Sequence, residues 1–395
     1  MTFAVGRFSS ASVAVLDSPA EAPRRIHRAA RLWRRMASVA DFLFGALTLI
    51  IVLAVLASVP IVQFLSLGYL LEVSGRVVRT AALRSGFVGV RRAARLGRVI
   101  LGAAAVFLPL LLLSRMAASA RLIEPGGPSD RMLTAGLGVA TVVGVVHWTS
   151  ACLRGARIRN FLWPAPLATA RLAWRLLTFQ GVFSEARDRT WDAMRALRLR
   201  YFFSLGLRGA IGALAWLFVP VTLLIVGMRI PSTPIGALGA LLFTLALVYL
   251  PFVQTRFAAE NRLGAMFRIS PVRDAFGRAP IAFVLSLGMT FIMAVPLYLL
   301  KIQMLPREAA WLPCLFFVVF TWPAKMALGW SYSYGARRPQ SRHFVLRWLA
   351  RLAMLPLAAA YVGLTYLTMY TSWYGMASIY AQHPFLVPVP FFAFD

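Results

Sequence analysis

The sequence predicts an all-α integral membrane protein, a polytopic helical bundle of about eight or nine membrane segments. Three observations predict this class. Of the 395 residues, 60% are hydrophobic and only 14% are charged. The mean hydropathy is +0.72. Apolar runs long enough to cross a bilayer alternate with short arginine-rich segments. A soluble domain of this length would need far more polar surface, so several segments are expected to face lipid.

The charge pattern predicts an orientation and excludes one class of partner. The net charge is +29, and Lys301 and Lys325 are the only lysines. The arginines lie between apolar runs and not on a polar domain, which is the positive-inside pattern and not that of a nucleic-acid binder. We therefore expect a bacterial cytoplasmic membrane protein with an external C-terminus, whose basic face meets anionic lipid headgroups. The basic inner loops are predicted at residues 74–98, 154–200, 255–279 and 336–344.

The chain divides into three parts by composition. Residues 1–40 are expected to form a cytoplasmic tail that ends in a basic amphipathic stretch and carries no secretory signal. Residues 41–371 form the membrane domain, and residues 372–395 form an external tail rich in proline and aromatic residues.

The first membrane segment has two interpretations. Strong positive charge lies on both sides of residues 41–75. A tight helical hairpin that bends at Pro60, with arms Leu43–Val59 and Ile61–Val73, would keep both basic clusters inside. A single kinked helix with an external N-terminus is the alternative, and we favour the hairpin.

The later segments alternate in direction and agree with the charge rule. Small residues recur at every fourth position in two of them, which predicts close helix packing. The segments are Val99–Leu113, Leu133–Leu153, Gly209–Met228, Pro234–Leu250, Ile281–Leu300, Ala309–Trp330 and Leu352–Tyr370. The packing positions are Gly136, Ala140 and Gly144 in one segment and Gly209 and Ala213 in another.

Short matches between the two halves suggest a degenerate parallel repeat. The run Pro60–Gln63 is echoed by Pro251–Gln254, and Glu72 and Glu260 each precede a Pro-Leu run at nearly equal spacing. The repeat conflicts with the hairpin, because the charge rule puts Pro251 at an inner edge whereas a hairpin puts Pro60 outside.

The same stretches carry a resemblance. Gly68-Tyr69-Leu70-Leu71 with Arg76 and Arg79, and later Ala259–Phe267, resemble a family of bacterial and archaeal multi-pass membrane proteins of unknown function. The resemblance covers about residues 40–300 and implies a fold type and no chemistry.

Four ionisable side chains in or beside apolar segments are candidate polar or transport positions. Glu72 and Glu260 either mark an ion or substrate path or pair with nearby arginines at the interface. Lys325 either lies at depth beside a polar partner or extends to the inner interface. His147 either titrates near neutrality or is a satisfied interfacial histidine.

No catalytic, cofactor-binding or metal-binding constellation is recognisable in the sequence. Cys152 and Cys314 are not spaced as a metal or redox pair, and the histidines lie far apart. We therefore expect a protein that is not an enzyme and needs no cofactor.

Three function classes remain open. The first is a membrane scaffold or a subunit of a larger complex, with a protein partner or a second copy of the chain. The second is a transporter or lipid-handling protein in which Glu72 and Lys325 line a polar cavity between the half-repeats. The third is an intramembrane enzyme.

Overall fold

The computed structural model describes residues 22–163, 165–167, 170–171, 174, 182–230, 233–301, 311–368 and 379–380. Over these ranges the chain is helical and contains no strand. Eight of the described helices are long and apolar enough to cross a membrane. The prediction of an all-α polytopic bundle is confirmed.

Twelve α-helices are described. They are α1 Ala22–Ser58, α2 Gln63–Thr80, α3 Val90–Ile123, α4 Pro128–Leu153, α5 Ile158–Leu162, α6 Val182–Leu197, α7 Leu199–Arg229, α8 Thr233–Glu260, α9 Ser270–Arg278, α10 Pro280–Lys301, α11 Trp311–Arg337 and α12 Phe344–Thr368. Short 3-10 turns, Leu83–Gly86 and Leu263–Phe267, follow α2 and α8.

The helices extend well beyond the apolar segments. Residues predicted as the basic loop 74–98 include the end of α2 and the start of α3, and 255–279 includes the end of α8 and all of α9. Arginine is a good helix former, so charge marks where apolar sequence stops and not where a helix ends. Segment 154–200 and both tails fall partly outside the described residues.

The chain reverses between α1 and α2. The hydroxyl of Ser66 donates a hydrogen bond of 2.7 Å to the carbonyl oxygen of Leu53. In one continuous helix these residues would lie about 20 Å apart, at 1.5 Å per residue. Ile61 in the connection has a left-handed φ of 68°. The structure therefore has the hairpin and not the single kinked helix.

The second arm of this hairpin, α2, is the centre of the bundle. Its residues Ser66 to Gly75 are all buried, and it packs against α1, α7, α8 and α11. Glycines permit the closest approaches. A Cβ on Gly68 would lie 1.8 Å from the carbonyl oxygen of Phe202, and one on Gly75 would lie 2.5 Å from that of Ala258. The backbones of α7 and α8 thus contact α2 directly.

The pair α3–α4 is peripheral. Apart from minor contacts, α3 packs against α1, α4 and α5, and α4 against α3 and α5. In the 18-residue apolar stretch of each of these helices only 11% of the residues are buried, compared with 56% in the corresponding stretch of α11. Most of the α3–α4 surface is therefore left for lipid or for another molecule.

The two halves share an order of elements. Each has a hairpin, then a left-handed residue (Ala81, φ 57°; Asn261, φ 54°), then a 3-10 turn and further helices. In the first half these are α3 and α4, and in the second half they are the short α9 and the long α10, α11 and α12. This order supports the repeat but corrects its alignment. Pro60 lies in the α1–α2 turn, whereas Pro251 lies inside α8, so the two prolines are not equivalent. Once Pro60 and Pro251 are no longer matched, the hairpin and the repeat do not conflict.

Candidate functional site: an arginine-walled pocket

One end of the bundle, which we call the arginine end, gathers the C-termini of α2, α8 and α11. The Arg79 Nη1 atom donates to the carbonyl oxygens of Ala258 at 3.0 Å and Ala259 at 3.2 Å. The Arg337 Nη2 atom donates to the carbonyl oxygen of Arg79 at 3.2 Å. Guanidinium groups thus satisfy carbonyls that helix C-termini leave unpaired, where positive charge also complements the helix dipole.

Glu72 is the most highly connected carboxylate at this end. Its side chain is 3% exposed. Its Oε1 atom accepts hydrogen bonds from Arg76 Nε at 3.0 Å and from Arg79 Nη2 at 2.7 Å. Its Oε2 atom accepts one from the hydroxyl of Tyr201 at 2.7 Å. The ion pair with Arg76, one helical turn away, is therefore part of a larger network that joins α2 to the start of α7.

The network forms one wall of a pocket of about 620 Å³ that opens at the protein surface. Of the described residues, four arginines and one glutamate line it, which gives this part of the lining a formal excess of three positive charges. The lining residues are Glu72, Arg76, Arg79, Thr80, Arg84, Ser85, Phe87, Arg198 and Tyr201. We call this the arginine-walled pocket.

Glu260 occupies a simpler environment. Its carboxylate pairs with Arg256, with Nε 2.6 Å from Oε1 and Nη2 3.3 Å from Oε2. The Arg256 side chain is only 9% exposed and also donates to the carbonyl oxygen of Arg268 at 2.9 Å. Glu260 itself is 40% exposed. It therefore neutralises a buried arginine and does not line the arginine-walled pocket.

Lys325 is fully buried on α11. Its ammonium group donates to Gln254 Oε1 at 3.0 Å, and the Gln254 amide donates to the carbonyl oxygen of Gly209 at 3.3 Å. No carboxylate among the described residues lies within ion-pair distance of it. The side chain thus stays at depth, hydrogen-bonded to α8, and does not extend to the interface. Glu72 lines the arginine-walled pocket, and Lys325 is not among the residues that line it.

His147 lies apart from these groups, in the α3–α4–α5 region. Its Nε2 atom is 2.9 Å from the carbonyl oxygen of Phe161 on α5. Its Nδ1 atom is buried and has no hydrogen-bond partner among the described residues. The interaction joins α4 to α5, which is a structural role for this side chain.

The two predicted packing stripes differ. Gly209 and Ala213 are buried, and a Cβ on Gly209 would lie 2.4 Å from a methyl group of Leu71. In the other stripe, Gly144 faces Leu110 of α3, but a Cβ on Gly136 would meet no atom within 4 Å. Ala140 is half-buried. The described chain therefore uses the first stripe fully and the second only at its end.

Sequence reasoning missed several members of the site. Tyr201 and Arg198 are close to Glu72 only because α7 crosses α2 at Gly68 and Gly206, and Arg84 lies in the 3-10 turn that follows α2. Gln254 was recognised as part of a repeat and not as the partner of Lys325. A buried lysine in an apolar helix requires a polar neighbour, and the few polar residues of the other helices were the available signal.

The fold and this site define a multi-pass membrane protein with a basic pocket at one end. Comparison with protein-family models, with curated proteins and with solved structures finds no match for this chain. In the described residues, no group of three or more histidine, cysteine or acidic side chains is arranged to hold a metal ion.

Proposed function

We propose that this protein is a non-catalytic membrane scaffold, a subunit that binds a transmembrane helix of another protein through the α3–α4 pair. The observation that carries the proposal is the uneven burial of the bundle. Two of its eight candidate spans are only 11% buried in their most apolar windows and are attached to the rest mainly through α1. In this proposal the arginine end faces a bacterial cytoplasm, as the positive-inside rule requires.

The α3–α4 pair is preorganised for binding. At its turn, Asp130 accepts hydrogen bonds from Arg121 Nε at 3.3 Å, from the Gly126 amide at 3.0 Å and from the Thr134 hydroxyl at 3.1 Å. Further from the turn, Gly144 lets the side chain of Leu110 on α3 approach α4 closely. A surface that is already ordered loses little conformational entropy when a partner binds.

The uncovered Gly136 of α4 suggests the kind of partner. Glycine in a helix costs about 1 kcal/mol relative to alanine. At Gly68, Gly75 and Gly209 a close neighbour offsets that cost, but a Cβ on Gly136 would meet no atom of the described chain within 4 Å. Helices associate in lipid through small residues that permit close backbone approach. A helix from another chain would offset the cost in α4 as the internal contacts do in α2.

Native mass spectrometry of the full chain, extracted gently from its own membrane, tests the proposal. We expect a stoichiometric protein companion that is retained by Val142→Leu and lost in Gly136→Leu. The two substitutions place the same side chain on different faces of α4, and Val142 is already 64% exposed. Thermal unfolding of both variants should match the unmodified protein. A solitary protein, or equal loss of the companion in both variants, would contradict the proposal.

A second candidate function is handling of an anionic lipid or solute. It is favoured by the arginine-walled pocket, whose charge excess suits an anion. This function does not require a protein companion, so the two candidates are separable in the same experiment.

A further inference from the structure

We infer that the arginine-walled pocket is a binding site for a phosphate-bearing anion. The site is independent of the α3–α4 surface and would exist whether or not the protein has a partner. The ligand group is a phosphate monoester or diester, carried either by a lipid headgroup or by a soluble molecule.

The first argument is the imbalance of donors and acceptors. Each guanidinium group has five N–H donors and no acceptor. The Arg76 side chain uses only its Nε atom in a hydrogen bond, and the guanidinium group of Arg84 makes no hydrogen bond or ion pair with the described residues. Among the described residues Glu72 is the only carboxylate in the lining, and both of its oxygens already accept hydrogen bonds. The remaining guanidinium donors of Arg76 and Arg84 therefore have no acceptor in the described part of the chain and are available to a ligand in the pocket.

The second argument is that part of the site is held rigidly. Arg79 is fixed between Glu72 and the two carbonyl oxygens at the end of α8. The guanidinium of Arg198 lies over the ring of Tyr201, 4.4 Å from its centroid, and the Tyr201 hydroxyl is held by Glu72. Glu72 thus positions donors from α2 and α7, and a ligand would not have to order these side chains.

The third argument is the chemistry of the lining. Planar guanidinium groups from several directions match a tetrahedral anion with several acceptor oxygens better than a single carboxylate. The Thr80 and Ser85 hydroxyls, 2.6 Å apart, add polar groups, and Phe87 adds an apolar surface that is 38% exposed. The volume of about 620 Å³ exceeds what a bare inorganic anion fills, so a larger phosphate-bearing molecule fits.

The experiment uses the full chain in nanodiscs of phosphatidylcholine, with phosphatidylglycerol in one arm and dissolved pyrophosphate in the other. Arg84→Gln removes a charge that makes no ion pair or side-chain hydrogen bond with the described residues. Arg95→Gln, a matched control, removes one on exposed α3 surface outside the pocket. Native mass spectrometry measures retained phosphatidylglycerol, and the ligand-induced shift in melting temperature measures pyrophosphate binding.

We expect Arg84→Gln to weaken binding about tenfold, as for loss of a charge-assisted hydrogen bond, and Arg95→Gln to leave it unchanged. Saturable binding of phosphatidylglycerol alone would identify a lipid headgroup site, and binding of pyrophosphate alone would identify a site for a soluble phosphate compound. Binding in neither arm, or equal weakening by Arg84→Gln and Arg95→Gln, would overturn the inference.

Discussion

The helices α2 and α4 both contain several glycines, yet they occupy opposite environments. In α2, Gly68 and Gly75 press against the backbones of two other helices. In α4, Gly136 and Gly138 press against nothing in the described chain. The same residue type therefore marks an internal contact in one region and an open surface in the other. The difference shows that a small-residue stripe predicts close packing but not whether the neighbour belongs to the same chain.

The largest loss of stability should come from adding a side chain where a glycine of α2 contacts α7. A Cβ in Gly68→Ala would lie 1.8 Å from a backbone oxygen that cannot rotate away, so α2 and α7 must separate. We expect a loss of more than about 3 kcal/mol in the free energy of unfolding. Thermal unfolding and size-exclusion chromatography of the purified protein would measure it.

Gly136→Ala is the matched control for this substitution. Its Cβ meets no atom, so the gain in helix propensity should raise stability by up to about 1 kcal/mol. If the two alanine variants were equally stable, the contrast between the helices would be wrong.

The next largest losses of stability are expected on substitution of Glu72 and Glu260, and their sizes can be compared. Glu72→Leu leaves Arg76, Arg79 and Tyr201 without their shared acceptor, and we expect a loss of about 3 kcal/mol in stability. Glu260→Leu leaves the buried guanidinium group of Arg256 with carbonyl acceptors such as that of Arg268 but no counter-ion, so a somewhat smaller loss of about 1.5–3 kcal/mol is expected. Melting temperatures of both variants in one detergent provide the comparison. A larger loss for Glu260→Leu would contradict the assignment of Glu72 as the network centre.

The smallest changes in stability are expected for the buried Lys325–Gln254 pair, and substitutions of its two members should differ in sign. Gln254→Leu leaves a buried ammonium group without its acceptor and should destabilise by about 1–3 kcal/mol. Lys325→Met replaces the cation with an apolar chain of similar length and should be neutral or stabilising. Chemical denaturation measures whether the free energy of unfolding rises or falls in each of the two variants. Destabilisation by Lys325→Met alone would mean that the ammonium group has an essential structural partner.

Much of the fold follows from the sequence. Apolar runs and arginine placement predict the number of spans, because a bilayer requires helices of a fixed minimum length. The α1–α2 hairpin followed from charge on both sides of one apolar stretch. The helix ends could not be predicted from the apolar runs. Residues Arg91 to Arg98 belong to α3 although they precede its apolar part, and Pro109 lies inside the helix. A proline within a spanning helix is tolerated when neighbouring groups satisfy the backbone.

The candidate site was predictable only in part. Glu72 stood out because a carboxylate in an apolar run needs a partner, and Arg76 was the nearest in sequence. Tyr201 and Arg198 are brought to it by the crossing of α2 and α7, which depends on glycines 138 residues apart (Gly68 and Gly206). No local pattern encodes that crossing. Lys325 was recognised as anomalous, but its partner Gln254 lies on a helix that sequence spacing does not place beside it.

Photo-crosslinking in intact membranes tests whether the open face of α4 binds another protein. A photoreactive residue in place of Gly136, which has open space around it, should form a crosslink to another protein, and the same residue in place of Val142 should not. That result would show that the open glycine face of α4 binds a partner helix. Adducts with lipid alone at both positions would contradict the account and leave α3–α4 as a lipid-facing edge of the bundle.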